Sequence, residues 1–163
     1  MKDYIVLKGA DAVWNAGTER LQWNNISDRY FPNFLANGVP DGQVDIFMKL
    51  HTCTFITDDL TDPLSGAVTI DTNLNFNNMV PTNGSSILGS VECVSNISVE
   101  FPGSYFLTSL NNITSMELKI SRFNSIQIGI IGLGKYFNIS SLKDFATFVL
   151  EIEYIRNNNL KRI

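Results

Sequence analysis

The sequence predicts an all-β fold: an antiparallel two-sheet β-sandwich, jelly-roll-like, of about eight strands. Three observations carry this. Apolar and polar residues alternate with period two over several stretches, and turn-forming Pro, Asp, Asn and Gly separate those stretches. No long stretch shows the spacing of an amphipathic helix. Strands with one wet face must bury the other against a second sheet, or close into a barrel. At 163 residues the chain forms one domain, 1–163, large enough for a core without metal or disulfide support.

Taken in order, "YIVLK" (4–8) is a short first strand. Residues 9–42 follow as an irregular, Asn- and Gly-rich region. In "QVDIFMKLHTCTFIT" Val44, Ile46, Met48 and Leu50 share one face, with Asp45 and Lys49 opposite. In "GAVTIDTNLNFNN" Val68, Ile70, Leu74 and Phe76 face inward, and Thr69, Asp71, Asn73, Asn75 and Asn77 outward. "VECVSNISVEF" (91–101) repeats the pattern, with "SYFLTSL" (104–110), "ITSMELKISRF" (113–123) and "SIQIGII" (125–131) after it. "SSLKDF" (140–145) suits a single helical turn capped by Ser140 or Ser141. In "ATFVLEIEYIR" Phe148, Leu150, Ile152 and Tyr154 face in, while Thr147, Glu151 and Glu153 face solvent. "VPDGQ", "DDLTDPLSG" and "VPTNGSS" supply the turn chemistry between strands. Residues 157–163 form a short tail.

Composition narrows the function classes. Charged residues are 17% of the chain, below the roughly 25% usual for soluble domains, and eighteen asparagines supply much of the polar surface. Such a surface is weakly repelled by a neighbour and suits packing against other chains; a base-composition bias toward Asn codons would produce it equally well. The net charge is −4 with no basic run that would neutralise several phosphates, so direct nucleic-acid binding is not expected. No stretch approaches the ~20 apolar residues of a membrane span, and the opening "MKDYIVLKGAD" lacks a signal peptide's apolar region. The chain is therefore expected to fold in a cytoplasm, with Cys53 and Cys93 as buried thiols.

The run "IQIGIIGLGKYFN" invites comparison with a dinucleotide-binding turn. That turn joins a strand to a helix N-terminus and needs glycines at G-x-G-x-x-G spacing. Here Gly132 and Gly134 are followed by Phe137 at the third position, and no helical periodicity follows. The glycines Gly129, Gly132 and Gly134 are read instead as a bulge or bend where a strand leaves one sheet for the other, and no cofactor is expected. His51 is the only histidine; with Cys53 two residues on, the pair would share one sheet face, and a structural histidine is the simpler reading. Asp58, Asp59 and Asp62 read as turn residues, since their spacing does not match a calcium loop. No nucleophile–histidine pattern is present, and no enzymatic activity is expected.

The contact candidates are the aromatic residues of the irregular region, Trp14, Trp23, Tyr30 and Phe31, and the basic residues of the end, Arg156, Lys161 and Arg162. Such rings dominate interfaces and sugar-stacking sites, though a loop folded over the open end of the sandwich would use the same residues. The basic cluster is either a solvated terminus or an arm on a neighbouring subunit.

With its alternating strands "AVTIDTNLNF", "VECVSNISVEF", "MELKISRF" and "FVLEIEYI" and their Asn-rich breaks, the chain resembles the single jelly-roll proteins of virus particles over roughly residues 43–156. The resemblance is one of architecture. It implies a structural role in the virion, made in the host cytoplasm: a vertex (penton), minor capsid or decoration protein, or the head of a spike. The partners it implies are further copies in a homo-oligomer, with a pentamer at a vertex, and other capsid proteins. Genome-wrapping shell proteins often carry a basic arm, which "MKDYIVLKG" is not. The alternative is a carbohydrate- or receptor-binding module on a tail or spike.

Overall fold

A computed structural model describes residues 2–26, 44–58, 66–74, 86–97, 105–115, 118–120, 123–132 and 134–156. Among them lie eleven strands: β1 (Lys2–Lys8), β2 (Val13–Asn15), β3 (Arg20–Trp23), β4 (Val44–Thr57), β5 (Gly66–Thr72), β6 (Ser86–Ile97), β7 (Tyr105–Ser115), β8 (Leu118–Ile120), β9 (Ile126–Gly132), β10 (Lys135–Tyr136) and β11 (Thr147–Arg156). Short 3-10 turns lie at Gly9–Asp11 and Lys143–Phe145. All pairings are antiparallel, and the chain is an all-β sandwich.

One layer has three strands in the order β1-β11-β4, and the other has six in the order β7-β6-β5-β9-β3-β2. β4 joins them. Along residues 44–54 it pairs with β11, and its last residues, 54–57, pair with β7 at the start of the second layer. β8 pairs with β4 at Ile46–Met48, and β10 folds back on β9.

The alternation predicts the core well. Val68, Ile70, Phe148, Leu150 and Ile152 are buried, as are Ile46, Met48 and Leu50. Across the layers Trp23 meets Phe148 edge to face at 6.0 Å, and Phe55 meets Phe137 at 6.4 Å. The side chains of residues 91–97, and residues 75–80 and 98–101, lie outside what is described.

Four local readings need correction. First, residues 9–42 are not wholly irregular: β2 and β3 form a hairpin there, too short to show alternation. Its turn is held by Asn15 Oδ1, which accepts the Gly17 and Thr18 N–H groups. Second, His51 and Cys53 do not share a face. Leu50 pairs with Leu150 and Thr52 with Val149, so His51 is the extra residue of a β-bulge, leaving His51 exposed and Cys53 buried. Third, the glycine run does not carry a strand from sheet to sheet. Gly132 pairs with Lys135 and Gly134 has φ +79°, which makes the run a tight hairpin. Fourth, the helical turn begins at Lys143 after Leu142, without a side-chain cap; Ser140 Oγ bonds Asn138 Oδ1 instead.

Gly132 faces the core, where an added Cβ would lie 2.2 Å from the Phe137 ring. At Gly17 the nearest atom to such a Cβ is 3.4 Å away. Gly132→Ala is therefore expected to destabilise the fold by about 1–3 kcal/mol, and Gly17→Ala to stay within about 0.5 kcal/mol. Urea denaturation of the two variants checks the contrast.

Candidate functional site

The most elaborate cluster lies on the outer face of the six-stranded layer. Leu21 pairs with Ile128, so Arg20 stands opposite Gly129, and Asp71 pairs with Gly129 from the other side. Arg20, Gly129 and Asp71 thus form one row across three strands. Because Gly129 has no side chain, the Arg20 side chain can cross β9. A Cβ at Gly129 would lie 2.5 Å from Asp71 Oδ1 and 2.6 Å from the Tyr136 ring.

The resulting contact is a forked ion pair. Arg20 Nη2 donates to Asp71 Oδ2 at 2.9 Å and Nε donates to Oδ1 at 3.3 Å. Tyr136, brought over by the β9–β10 hairpin, accepts from Arg20 Nη2 at 2.9 Å, donates to Asp71 Oδ2, and holds its ring 5.4 Å from the guanidinium carbon. The Arg20 side chain is 11% exposed and that of Asp71 2%. The hydrogen bond to Asp71 holds the Arg20 pKa above its ordinary value against the opposing effect of burial. Burial, with Asp71 adding to it, pushes the Tyr136 phenol up. Alternation predicts an outward Asp71 in solvent; it does face outward, but Arg20 and Tyr136 cover it.

Beside this row runs an amide ladder. Gln127 Nε2 donates to Gln22 Oε1 at 3.0 Å, and Asn15 Nδ2 donates to the same oxygen at 3.2 Å. Thr18 Oγ1 bonds Gln127 Oε1, and Asn73 Oδ1 accepts the Gln127 N–H. Among the described residues, no buried side-chain nitrogen or oxygen lacks a partner. The polar groups of the cluster and the ladder are engaged with one another, which rigidifies this part of the face.

The outer face of the three-stranded layer carries a second cluster. Tyr4 and Val6 are 51% and 40% exposed, and the Tyr4 ring lies 5.2 Å from that of His51. Beside them Glu151 sits between two lysines, with Lys2 Nζ at 3.1 Å and Lys49 Nζ at 3.4 Å from Oε1. Glu151, expected in solvent, is buried beneath them. Burial would raise its pKa; the hydrogen bond and charge of Lys2, with Lys49, outweigh that and lower it.

Of the contact candidates, Trp23 is corrected to a core residue. It is 2% exposed, and its indole N–H donates to the Lys8 carbonyl at 2.8 Å. Trp14, opposite Leu21 on the same hairpin, is half-buried against the core. Arg156 ends β11 opposite Val44. Tyr30, Phe31, Lys161 and Arg162 lie outside the described residues, as do Asp59 and Asp62. Arg20, Asp71, Gly129 and Tyr136 carry no joint motif in the sequence, because only the pairing of β3, β9 and β5 brings them together.

Breaking one side of the buried pair leaves an uncompensated charge. Arg20→Met and Asp71→Leu should each destabilise by about 3–5 kcal/mol, and the double variant by clearly less than the sum, as read from a denaturation cycle. The second cluster predicts a pH effect. Because the folded pKa of Glu151 lies below its ordinary value, its stabilisation is present above the unfolded carboxylate pKa and lost as pH falls through the folded one. The acid-induced fall in urea midpoint below about pH 4.5 should be smaller in Glu151→Gln than in the parent.

No protein-family model, no curated protein and no solved structure matches this chain, so its functional reading rests on its own residues and geometry.

Proposed function

We propose that this chain is a non-enzymatic structural protein of a virus particle, a vertex (penton) or minor capsid or decoration component that assembles through its sheet edges and termini. The observation that carries the reading is the exposure of apolar residues on β1 and β2, the strands at the two ends of the strand order. On the six-stranded layer Val13 stands exposed on β2, beside the Arg20–Asp71–Tyr136 cluster and the Gln22–Gln127 ladder. On the three-stranded layer Tyr4 and Val6 stand exposed on β1, at the end of the strand order. Apolar side chains exposed at both ends of the strand order suit a building block that packs against neighbours.

The alternative, a carbohydrate- or receptor-binding module, is supported by the amide-rich outer face. It loses Trp23 as an exposed stacking ring and keeps Trp14 only in part. The low-charge, Asn-rich composition and the architectural resemblance to single jelly-roll virion proteins favour the first reading. Closed rings are the usual form of such assemblies, and a five-fold ring would suit a vertex.

Native mass spectrometry of the purified chain, with mass spectrometry and electron microscopy of purified particles, tests the proposal. The expected result is a defined multimer and copurification with virions. Absence from particles, with a monomer that binds a glycan saturably, would overturn it in favour of the binding module.

A further inference from the structure

The free side of β1 has a chemistry of its own. Gly9 N–H bonds the Ala146 carbonyl at 2.8 Å in continuation of the β1–β11 ladder. By alternation, the main-chain groups of Asp3, Ile5 and Leu7 turn toward β11, and those of Lys2, Tyr4, Val6 and Lys8 turn away. Two contacts agree: the Lys8 carbonyl accepts from Trp23 Nε1, and Tyr4 N–H donates to Asp3 Oδ1 at 2.9 Å. Val6 lies between them with N–H and C=O both directed outward, and no strand lies beyond β1 among the described residues. The same four residues present their side chains on the outer face: exposed Lys2 and Lys8 at the ends, Tyr4 and Val6 between them.

We propose that β1 is an acceptor edge for an extended segment of a different polypeptide. That segment carries acidic residues opposite Lys2 and Lys8 and apolar residues opposite Tyr4 and Val6. Main-chain hydrogen bonds supply affinity in such strand addition, and alternate side chains supply specificity. Opposed side chains across an antiparallel pair lie about 4.5–5.5 Å apart, so the two lysines select charge at both ends and the apolar pair selects the middle. The pattern reads the same in both directions, so it fits a parallel or an antiparallel arrival.

A second copy of this chain is the poorer occupant. Pairing β1 with itself about a two-fold axis at Ile5 sets Lys2 opposite Lys8, a like-charge contact. No two acidic residues in the sequence are separated by six positions, the spacing from Lys2 to Lys8, so no segment of the chain carries the complementary pattern. The inference rests on the assembly reading for its biological partner, but the chemistry of the edge can be tested on the isolated protein.

The probe is a capped seven-residue peptide with glutamate at its first and last positions, valine at the third and fifth, and threonine elsewhere. It is titrated into isotope-labelled protein and followed by amide NMR, beside a control with lysine in place of both glutamates. Saturable shifts are expected at Lys2, Tyr4, Val6 and Lys8 with the acidic peptide only. Val6→Pro removes an outward N–H without touching the β11 ladder and should weaken binding by about tenfold or more. Lys8→Glu keeps the backbone intact and should weaken the acidic peptide while favouring the lysine control. No saturable shift at millimolar peptide, equal binding of both peptides, or unchanged affinity in a folded Val6→Pro protein would overturn the proposal. A chain that copurifies with particles yet ignores the peptide would overturn this inference alone.

Discussion

The fold hangs on β4, which belongs to both layers. Its first eleven residues hold β11, and its end holds β7, so it is the hydrogen-bonded seam of the sandwich. A strand with strict alternation through this seam would carry Leu50 inward and Cys53 outward. The bulge at His51 resets the phase by one residue, so that Cys53 and Phe55 join Met48 and Leu50 in the core. Without that bulge the same residues in strict alternation would turn Phe55 toward water and leave Phe137 without its ring neighbour. The exposed histidine is thus a consequence of closing the sandwich.

What was legible in the sequence was whatever depends on neighbours along the chain. Val68, Ile70, Phe148, Leu150 and Ile152 reveal their burial through period two alone. The hairpin of β2 and β3 escaped because strands of three and four residues are too short to show a period. The shared face assigned to His51 and Cys53 failed because a bulge shows only in the register against a partner strand. Asp71 was placed on the correct side of its strand and given the wrong environment. Its cover comes from Arg20 and Tyr136, far away in sequence, and its burial depends on a glycine in a third strand.

Gly129 shows how one missing side chain organises a surface. Nucleotide-binding turns use glycine so that a ligand's phosphates can approach the backbone. Here the same freedom of approach admits the chain's own guanidinium, and the group it meets is the chain's own carboxylate. The amide ladder beside it works similarly, each side chain serving a neighbour on the next strand. That layer is stiffened from outside as well as from within, and each layer keeps exposed apolar residues at its margin, Val13 on one and Tyr4 and Val6 on the other.

The pairing of β1 with β11 has a consequence for synthesis. Lys2 lies opposite Glu153 and Lys8 opposite Thr147, so the first of the described strands is paired with the last of them, made about 140 residues later. The three-stranded layer cannot close until β11 has emerged, and until then β1 has no native partner on that side. Contacts so distant along the chain slow folding, because the intervening loop must be closed before any gain is realised. During that interval the apolar residues Ile5 and Leu7 stay uncovered, and a nascent chain is at its most vulnerable to misassembly with other chains being made nearby.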